Sequence, residues 1–292
     1  MDRYQKAKKT ASFSIVGNIL LATAKLFAGI FGNSYALIAD AIESTTDIFS
    51  SILVYWGIKY AERPPDENHP YGHGKIEPLV TFIVVGILIT SATIIAYQAI
   101  INIQSPQELP ESWTLGVLLV IILWKEIAYQ IMKRRSEELK STSIKADAWH
   151  QRSDAITSVA AFLGISIALL FGEAFAVADD WAALFSAFFI LYNSYLIFRP
   201  ALGEIMDEHF HEELQSLIHE KANEVPGVIN TEKCYVRKAG MDYQVDLHAR
   251  VDGSITVEEG HTIAHALQDH LLQEITELKY VLIHIEPGNK EG

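Results

Sequence analysis

The chain has 292 residues, of which half are hydrophobic, and its formal net charge is −13 at pH 7. Residues 201–292 carry 18 acidic and 7 basic side chains, whereas residues 1–200 carry 18 and 16. The acidic balance argues against nucleic acid as a partner. The single Cys234 excludes an intrachain disulfide and a cysteine-based zinc framework. The sequence therefore divides into an apolar front part and an acidic tail.

Six stretches of the front part are long and apolar enough to cross a bilayer as helices, which takes about 20 residues. They are residues 12–31, 34–56, 79–101, 113–132, 146–171 and 177–198. The second and fifth are the least apolar because each carries several carboxylates. The first stretch has no small-residue cleavage site and is followed by further spans, so we interpret it as a membrane helix and not as a signal peptide.

Lysine and arginine lie on one side of this predicted membrane domain. The loop near Gly32 and the loops at 102–112 and 172–180 contain neither residue type. The basic residues lie before the first span and after the second and fourth spans. Because short cytoplasmic loops are enriched in lysine and arginine, the pattern predicts a multi-pass inner-membrane protein with both termini in the cytoplasm.

After Pro200 the pattern becomes that of a small soluble domain. Its predicted elements are a helix at 212–225, strands at 228–237 and 243–251, a helix at 257–274 and a strand at 280–285. The order αββαβ is typical of an α+β sandwich of ferredoxin-like type. We therefore predict a six-helix transmembrane domain over residues 1–200 and a cytoplasmic ferredoxin-like domain over residues 201–292.

Ionisable side chains inside the second and fifth spans indicate a functional site, because such groups are costly in a bilayer. Glu43 and Asp47 are four residues apart and share one helix face, and His150 and Asp154 repeat this spacing. Two such helices facing each other would offer three carboxylates and one imidazole to a divalent metal ion. The alternative is a set of buried hydrogen bonds between helices.

The donor set also limits the chemistry of this predicted site. Oxygen and nitrogen ligands suit Zn(II), Fe(II), Mn(II) or Co(II), and the lack of sulfur argues against Cu(I). The same ligands bind protons, so metal and proton would compete for one site. Other charges near the spans are not expected to be ligands. We expect Lys25 and Arg152 to snorkel, and Lys125 and Glu126 to pair with neighbouring helices.

Three segments carry a resemblance to the cation diffusion facilitator family. They are residues 34–47 (SYALIADAIESTTD), 64–77 (PPDENHPYGHGKIE) and 146–154 (ADAWHQRSD). The six spans followed by a ferredoxin-like tail resemble the architecture of the whole family. The resemblance implies a homodimeric metal/proton antiporter that works by alternating access.

The resemblance also implies roles for particular residues. It places the transport site on the positions of Glu43, Asp47, His150 and Asp154. Members of the family usually have His or Asp where this chain has Glu43, which leaves the metal preference open. Asp40 matches a common acid of the family that is not normally a transport ligand.

Further positions match accessory features of the family. The resemblance implies a metal site in the loop that holds Asp66, His69 and His73, although the two histidines could instead only shape the loop. Lys75 and Asp207 match a pair proposed to interlock near the cytoplasmic neck of the dimer, although Lys75 could be an ordinary surface residue.

The tail carries a third candidate metal site. His248 lies on the second predicted strand, His261 opens the last helix, and His284 and Glu286 end the last strand. These four residues match the regulatory metal site of the family at the dimer interface. Relatives with a further histidine have it where this chain has Glu232, so the resemblance leaves a two-metal version open.

The function predicted from these observations is efflux of a divalent transition metal (Zn, Fe, Mn, Co or Cd) in exchange for protons. The metal would be substrate and regulator, and no prosthetic group is expected. Membrane lipid and a second copy of the chain are the expected partners. Two alternatives are an intramembrane metalloenzyme and a membrane-anchored metal sensor. The sequence has no His-Glu-x-x-His run and no evident nucleophile with a base, so we predict that the protein is not an enzyme.

Overall fold

The computed structural model describes residues 3–31, 35–104, 113–171, 178–208 and 212–288. Side chains at 28–43 and at some further positions inside the helices lie outside this description. The chain forms two compact units, one of Met1–Arg63 and Ile76–Ala201 and one of Pro64–Lys75 and Leu202–Gly292. The long helices are α1 (Arg3–Phe31), α2 (Tyr35–Ala61), α3 (Ile76–Gln104), α4 (Thr114–Leu139), α5 (Thr142–Phe171) and α6 (Ala178–Ile205).

In the first unit, α1 packs along α2 and α4 packs along α5, and α3 contacts both α2 and α5. Small side chains allow α1 to pack closely against its neighbouring helices, because Ala7 and Ala11 are fully buried. Large apolar side chains such as Val120, Leu170 and Phe185 are instead strongly exposed. Many exposed apolar side chains of this kind are expected of helices that face lipid.

Three helices are long and apolar enough to cross a membrane among the described residues: Arg3–Phe27, Ile76–Ile101 and Leu115–Leu139. These ranges overlap the first, third and fourth predicted spans. Charged residues lower the hydropathy of α2 and α5, and some side chains of α2 and α6 lie outside the described part of the structure. The other three spans therefore stay predictions.

The second unit has a three-stranded sheet with helices packed on it. Its elements are α7 (Glu212–Ala222), β1 (Asn230–Ala239), β2 (Asp242–Asp252), α8 (Val257–Glu274) and β3 (Leu278–Gly288). The central strand β2 pairs antiparallel with β1 and parallel with β3. Ile218, Leu267 and Leu271 of the helices are buried against Val245 and Leu247 of β2. The predicted αββαβ order is confirmed, with boundaries shifted by a few residues.

Local sequence signals explain how α8 begins. The Thr256 hydroxyl accepts a hydrogen bond from the N–H of Glu259, and the Glu259 carboxylate accepts one from the N–H of Thr256. This reciprocal capping box satisfies backbone donors that the first turn of a helix leaves free. It fixes the start of α8, which packs against the sheet.

The loop between α2 and α3 belongs to the second unit. The Asp66 carboxylate accepts hydrogen bonds from the N–H groups of Asn68 and His69, at 3.0 and 2.7 Å. The side chain of Gln244 on β2 donates to the carbonyl of Tyr71 at 2.8 Å. Gly72 has φ +84°, a conformation that favours glycine. The loop is therefore held by its own turn and by the sheet.

Candidate metal centre

Three of the four predicted transport ligands meet between α2 and α5. Asp47 lies on α2, and His150 and Asp154 lie one turn apart on α5. One ligand atom from each residue lies within 4.8 Å of the others. His150 Nε2 is 2.9 Å from Asp47 Oδ1. The side chain of Glu43, the fourth predicted ligand, lies outside the described part of the structure, although its backbone belongs to α2.

A small cavity of about 110 Å³ opens onto these ligands. Its lining includes Asp47, His150 and Asp154 together with the apolar Leu88, Ile121 and Ile190. A water molecule takes up about 30 Å³ in the liquid, so the cavity has room for an ion with a few waters. The donor set of two carboxylates and one imidazole suits a divalent first-row metal.

Lys125 of α4 also lies at this site, although the sequence reasoning did not place it there. Its side chain is 1 % exposed, and its Nζ lies 2.8 Å from Asp47 Oδ2 and 2.8 Å from Asp154 Oδ2. A longer contact of 3.4 Å reaches Asn18 Oδ1. The expectation that Lys125 pairs with neighbouring helices is thus met, but its partners are the predicted metal ligands themselves.

Other charges near the site are also satisfied within the protein. Lys25 is buried and donates to the Ser44 hydroxyl at 2.9 Å, so the expectation that it snorkels is wrong. Arg152 forms an ion pair with Glu126 at 2.9 Å and lies over the ring of Tyr129. Partners on neighbouring helices therefore hold Lys25 and Arg152. Their positions in the sequence alone predict instead that they extend to the membrane surface.

A polar network lies beside the site, and the sequence reasoning did not find it. Both carboxylate oxygens of Asp147 accept from the Ser51 hydroxyl, at 3.2 and 3.3 Å. The Ser51 and Ser14 hydroxyls are 2.8 Å apart, and the Gln151 amide donates to Ser14 and Asn18. The four-residue spacing of Ser14 and Asn18, which puts both on one face of the first predicted span, is the signal that could have revealed it.

A buried carboxylate positions the helix that carries His150 and Asp154. Glu77 of α3 is fully buried and accepts hydrogen bonds from the Ser141 hydroxyl and from the hydroxyl and N–H of Ser143. Ser143 lies in the first turn of α5, where backbone N–H groups have no partner within the helix. A negative charge at a helix N-terminus is also favoured by the helix dipole. Glu77 therefore acts as a cap supplied by another helix.

The loop residues form a second cluster, within the other compact unit. His69 Nδ1 is 3.2 Å from Asp66 Oδ1, and His73 Nε2 is 3.3 Å from Asp66 Oδ2. The two imidazole rings are 4.4 Å apart between centroids. Hydrogen bonding, above all from the N–H of His69, lowers the pKa of the exposed Asp66 carboxyl. The structure thus brings together all three residues predicted for the loop site.

Three of the four predicted tail ligands also meet. His248 and His284 are opposite each other in the pairing of β2 with β3. Glu286 Oε1 is 2.7 Å from His248 Nδ1 and 3.9 Å from His284 Nε2. The hydrogen bond with His248 lowers the pKa of Glu286. His261 is not part of this three-residue group, but it lines the same cavity as His284, and its exposed ring lies 4.4 Å between centroids from that of His265 on α8.

The structure also describes the predicted interlock pair, Lys75 and Asp207, and the side chain of Glu232. Lys75 Nζ is 2.5 Å from Asp207 Oδ1, and it also donates to the carbonyl of Glu204. The two members of the pair meet within one chain. The Glu232 carboxylate accepts from Arg250 at 2.6 Å.

Comparison with known proteins decides the family. The model of the "Cation efflux transmembrane domain" matches residues 11–206, and that of the "Cation efflux protein, cytoplasmic domain" matches residues 210–288. The chain belongs to the cation diffusion facilitator family. Cation diffusion facilitators are membrane transporters of metal cations and not enzymes, so metal-cation efflux is the general function.

Relatives match this cation diffusion facilitator along nearly its whole length. The manganese efflux system proteins MneP and MneS of Bacillus subtilis are 28 % and 30 % identical to it. The MneP match covers 99 % of both chains, and the MneS match covers 98 % of this chain and 99 % of the relative. The magnetosome protein MamM of Magnetospirillum gryphiswaldense is 30 % identical, over 91 % of this chain and 84 % of its own.

Proposed function

We propose that the protein exports a divalent transition metal from the cytoplasm across the inner membrane in exchange for protons, and that Mn²⁺ is the first metal to test. The observation that carries the proposal is the meeting of Asp47, His150 and Asp154 between two helices of the matched transmembrane domain. Ionisable side chains that meet inside a membrane domain suit an ion that passes through the domain. Neither a sensor confined to the tail nor a soluble metal store needs them.

The ligand chemistry supports manganese among the candidate metals. With Glu43 as the fourth ligand, the site has three carboxylates and one imidazole. Hard oxygen ligands favour Mn²⁺ relative to the softer metals that prefer thiolate. Two relatives that match over nearly the whole chain are named as manganese efflux proteins. Zn²⁺, Fe²⁺, Co²⁺ and Cd²⁺ are the competing substrates.

Proton exchange follows from the nature of the ligands. A carboxylate or imidazole must lose its proton before it can bind a metal, so metal binding releases protons. If the site faces each side of the membrane in turn, the proton gradient can drive metal outward. Alternating access of this kind needs two arrangements of the helices around one fixed site.

We assign a topology and an assembly to this transporter. Six spans over residues 1–200, both termini inside, would place the acidic domain of residues 201–292 in the cytoplasm. The lysine and arginine distribution supports this orientation. A homodimer joined through the cytoplasmic domain is the proposed assembly. The loop cluster of Asp66, His69 and His73 would bind an accessory metal, and the tail cluster of His248, His284 and Glu286 a regulatory one.

Flux into vesicles tests the function directly. The purified protein is reconstituted into vesicles that contain a Mn²⁺-sensitive dye, and a pH gradient is imposed. The unmodified protein should move Mn²⁺ in a gradient-dependent way, and Glu43→Ala or Asp154→Ala should abolish the movement. The control Glu258→Ala removes an exposed carboxylate of α8 and should leave flux unchanged.

The same assay separates the alternatives. Full transport by either ligand variant would overturn the site assignment. A lack of flux with any of the five metals, together with metal binding by the tail, would favour the membrane-anchored sensor. Hydrolysis of a peptide or lipid that a chelator abolishes would favour the metalloenzyme.

A further inference from the structure

A lysine lies at the point where the transported metal would approach its ligands. Lys125 is eleven residues from the start of α4, which places it about 16 Å along the helix. Its side chain is too short to reach the membrane surface from there. Its charge must therefore be compensated inside the protein, and the structure gives it two carboxylates as partners.

The hydrogen bonds of Lys125 match its capacity as a donor. An ammonium group has three N–H donors, and Nζ has three acceptors: Asp47 Oδ2 and Asp154 Oδ2 at 2.8 Å and Asn18 Oδ1 at 3.4 Å. Both oxygens of Asp47 have a partner, because its other oxygen is 2.9 Å from His150 Nε2. A metal ion that binds both Asp47 and Asp154 would therefore meet the ammonium group that already lies between these two carboxylates.

Electrostatics decides which group must leave. A divalent ion bound to Asp47 and Asp154 would lie within a few ångströms of the ammonium. In a low-dielectric interior, repulsion between charges at that distance is strong. His150 can stay as a ligand through its neutral imidazole, whereas an ammonium group has no lone pair to offer. The ammonium must therefore move away when the metal binds.

We propose that Lys125 is a tethered competitor of the transported metal, whose ammonium group holds Asp47 and Asp154 when the site is empty and leaves them when the metal binds. This inference rests on the proposed function and adds to it a residue that sets affinity. The flexible four-carbon stem of lysine permits the movement. Asn18 Oδ1 offers an acceptor to the displaced ammonium.

The competition gives the transporter two properties. The empty site keeps a cation between its carboxylates, so it avoids two unpaired negative charges inside the membrane domain. The metal binds less tightly than the ligands alone would allow, because each binding event must break the Lys125 ion pairs. Moderate affinity favours release, which a transport cycle needs at every turn.

Charge removal at Lys125 tests the proposal. Lys125→Gln keeps a hydrogen-bond donor near both carboxylates but removes the positive charge, and Lys125→Arg keeps the charge. Binding of Mn²⁺ to the full-length protein in detergent is measured by calorimetry in a background with His69→Ala and His248→Ala, which weakens the loop and tail clusters. The heat that Asp154→Ala abolishes reports the site between α2 and α5.

The expected result is a Kd for Mn²⁺ that is at least about tenfold lower in Lys125→Gln than in the unmodified protein, with Lys125→Arg close to the unmodified value. In vesicles the same Gln variant should show a lower KM and a lower maximal rate. An unchanged or higher Kd in Lys125→Gln, or equal tightening in Lys125→Arg, would overturn the proposal.

The design also covers a variant that does not fold without metal. Lys125→Gln is then purified with Mn²⁺ present, since a bound metal should replace the missing cation. Failure to recover folded protein under that condition contradicts the proposal. Asp154-dependent binding without flux in the unmodified protein would contradict the proposed function but leave the role of Lys125 standing.

Discussion

The site between α2 and α5 and the two clusters of the other unit use similar ligands in different surroundings. Asp47 and His150 are buried, and a lysine from a third helix compensates the carboxylates. In the loop cluster, by contrast, Asp66 is half exposed and is held by backbone N–H groups of its own turn. Water and local hydrogen bonds can stabilise an exposed carboxylate, whereas a buried one needs a partner from within the protein.

This difference shows which cluster forms only when several helices are packed together. The loop cluster draws its three residues from eight consecutive positions, and the tail cluster draws on two adjacent strands. The buried site needs α2, α4 and α5 to be in place, and Glu77 of α3 caps α5. We therefore expect substitutions to have effects that decrease from the buried site to the loop.

The largest effect is expected from Asp47→Asn. The amide keeps the shape of the side chain but loses a charge that pairs with Lys125 and lies beside His150. Loss of outer-shell partners typically lowers metal affinity by about 10–100-fold, and loss of a ligand should exceed this. We expect Mn²⁺ flux in vesicles to fall at least about 100-fold. Flux within a factor of two of the unmodified protein would exclude Asp47 as a ligand.

Removal of the cap on α5 is expected to lower stability. Glu77→Ala leaves the Ser141 and Ser143 groups without the carboxylate that accepts their hydrogen bonds. Hydrogen bonds to a charged group contribute about 1.5–3 kcal/mol each. We expect a drop of several degrees in the melting temperature of the detergent-purified protein, whereas the exposed Glu137→Ala should melt like the unmodified protein. Equal melting of all three would show that the cap does not stabilise α5.

The sequence could predict that Asp47, His150 and Asp154 share a site, but not that a lysine pairs with its carboxylates. The four-residue spacing of His150 and Asp154 places both on one face of a helix whatever the fold around it. The partner of Lys125 depends instead on how α4 turns toward α2 and α5, which spacing along one helix does not determine. The cap at Glu77 was missed for the same reason, since 64 residues separate it from Ser141.

The tail illustrates a second limit. The ferredoxin-like order was predictable because strand alternation and the capping box at Thr256 are local signals. His261 was grouped with the sheet residues through the family resemblance. In the structure, α8 buries Leu267 and Leu271 against the sheet and leaves the His261 ring exposed beside His265. The location of a side chain depends more on which side of its helix faces the core than on where the helix lies along the chain.

The tail cluster should respond to substitution with an intermediate effect. His248→Ala removes one member of the tail cluster and also the hydrogen bond that lowers the pKa of Glu286. We expect metal binding by the tail to weaken at least about tenfold, measured on the full-length protein with Asp154→Ala in the background. The control His265→Ala removes an exposed histidine outside the three-residue group. An equal loss in both variants would show that the metal binds elsewhere on the tail.

The smallest effect on transport is expected from Asp66→Asn in the loop. The amide oxygen can still accept hydrogen bonds from the N–H groups of Asn68 and His69, so the turn should be kept. Flux should stay within about twofold of the unmodified protein, because the site between α2 and α5 keeps all its ligands. The control Glu67→Gln changes the charge of an exposed neighbour. A tenfold loss confined to Asp66→Asn would place the loop on the route of the metal.

The charge of Asp66 adds a pH dependence to this turn. Since hydrogen bonding lowers the pKa of Asp66 in the folded protein, the charged carboxylate stabilises the turn fully above the ordinary aspartate pKa of about 3.9. That stabilisation is lost as the pH falls below this value and through the lowered pKa. The protection of the His69 N–H, which is its hydrogen-exchange rate relative to that of an unstructured peptide at the same pH, should therefore fall only in that acidic range. In Asp66→Asn the same protection should show no step there, because an amide does not titrate.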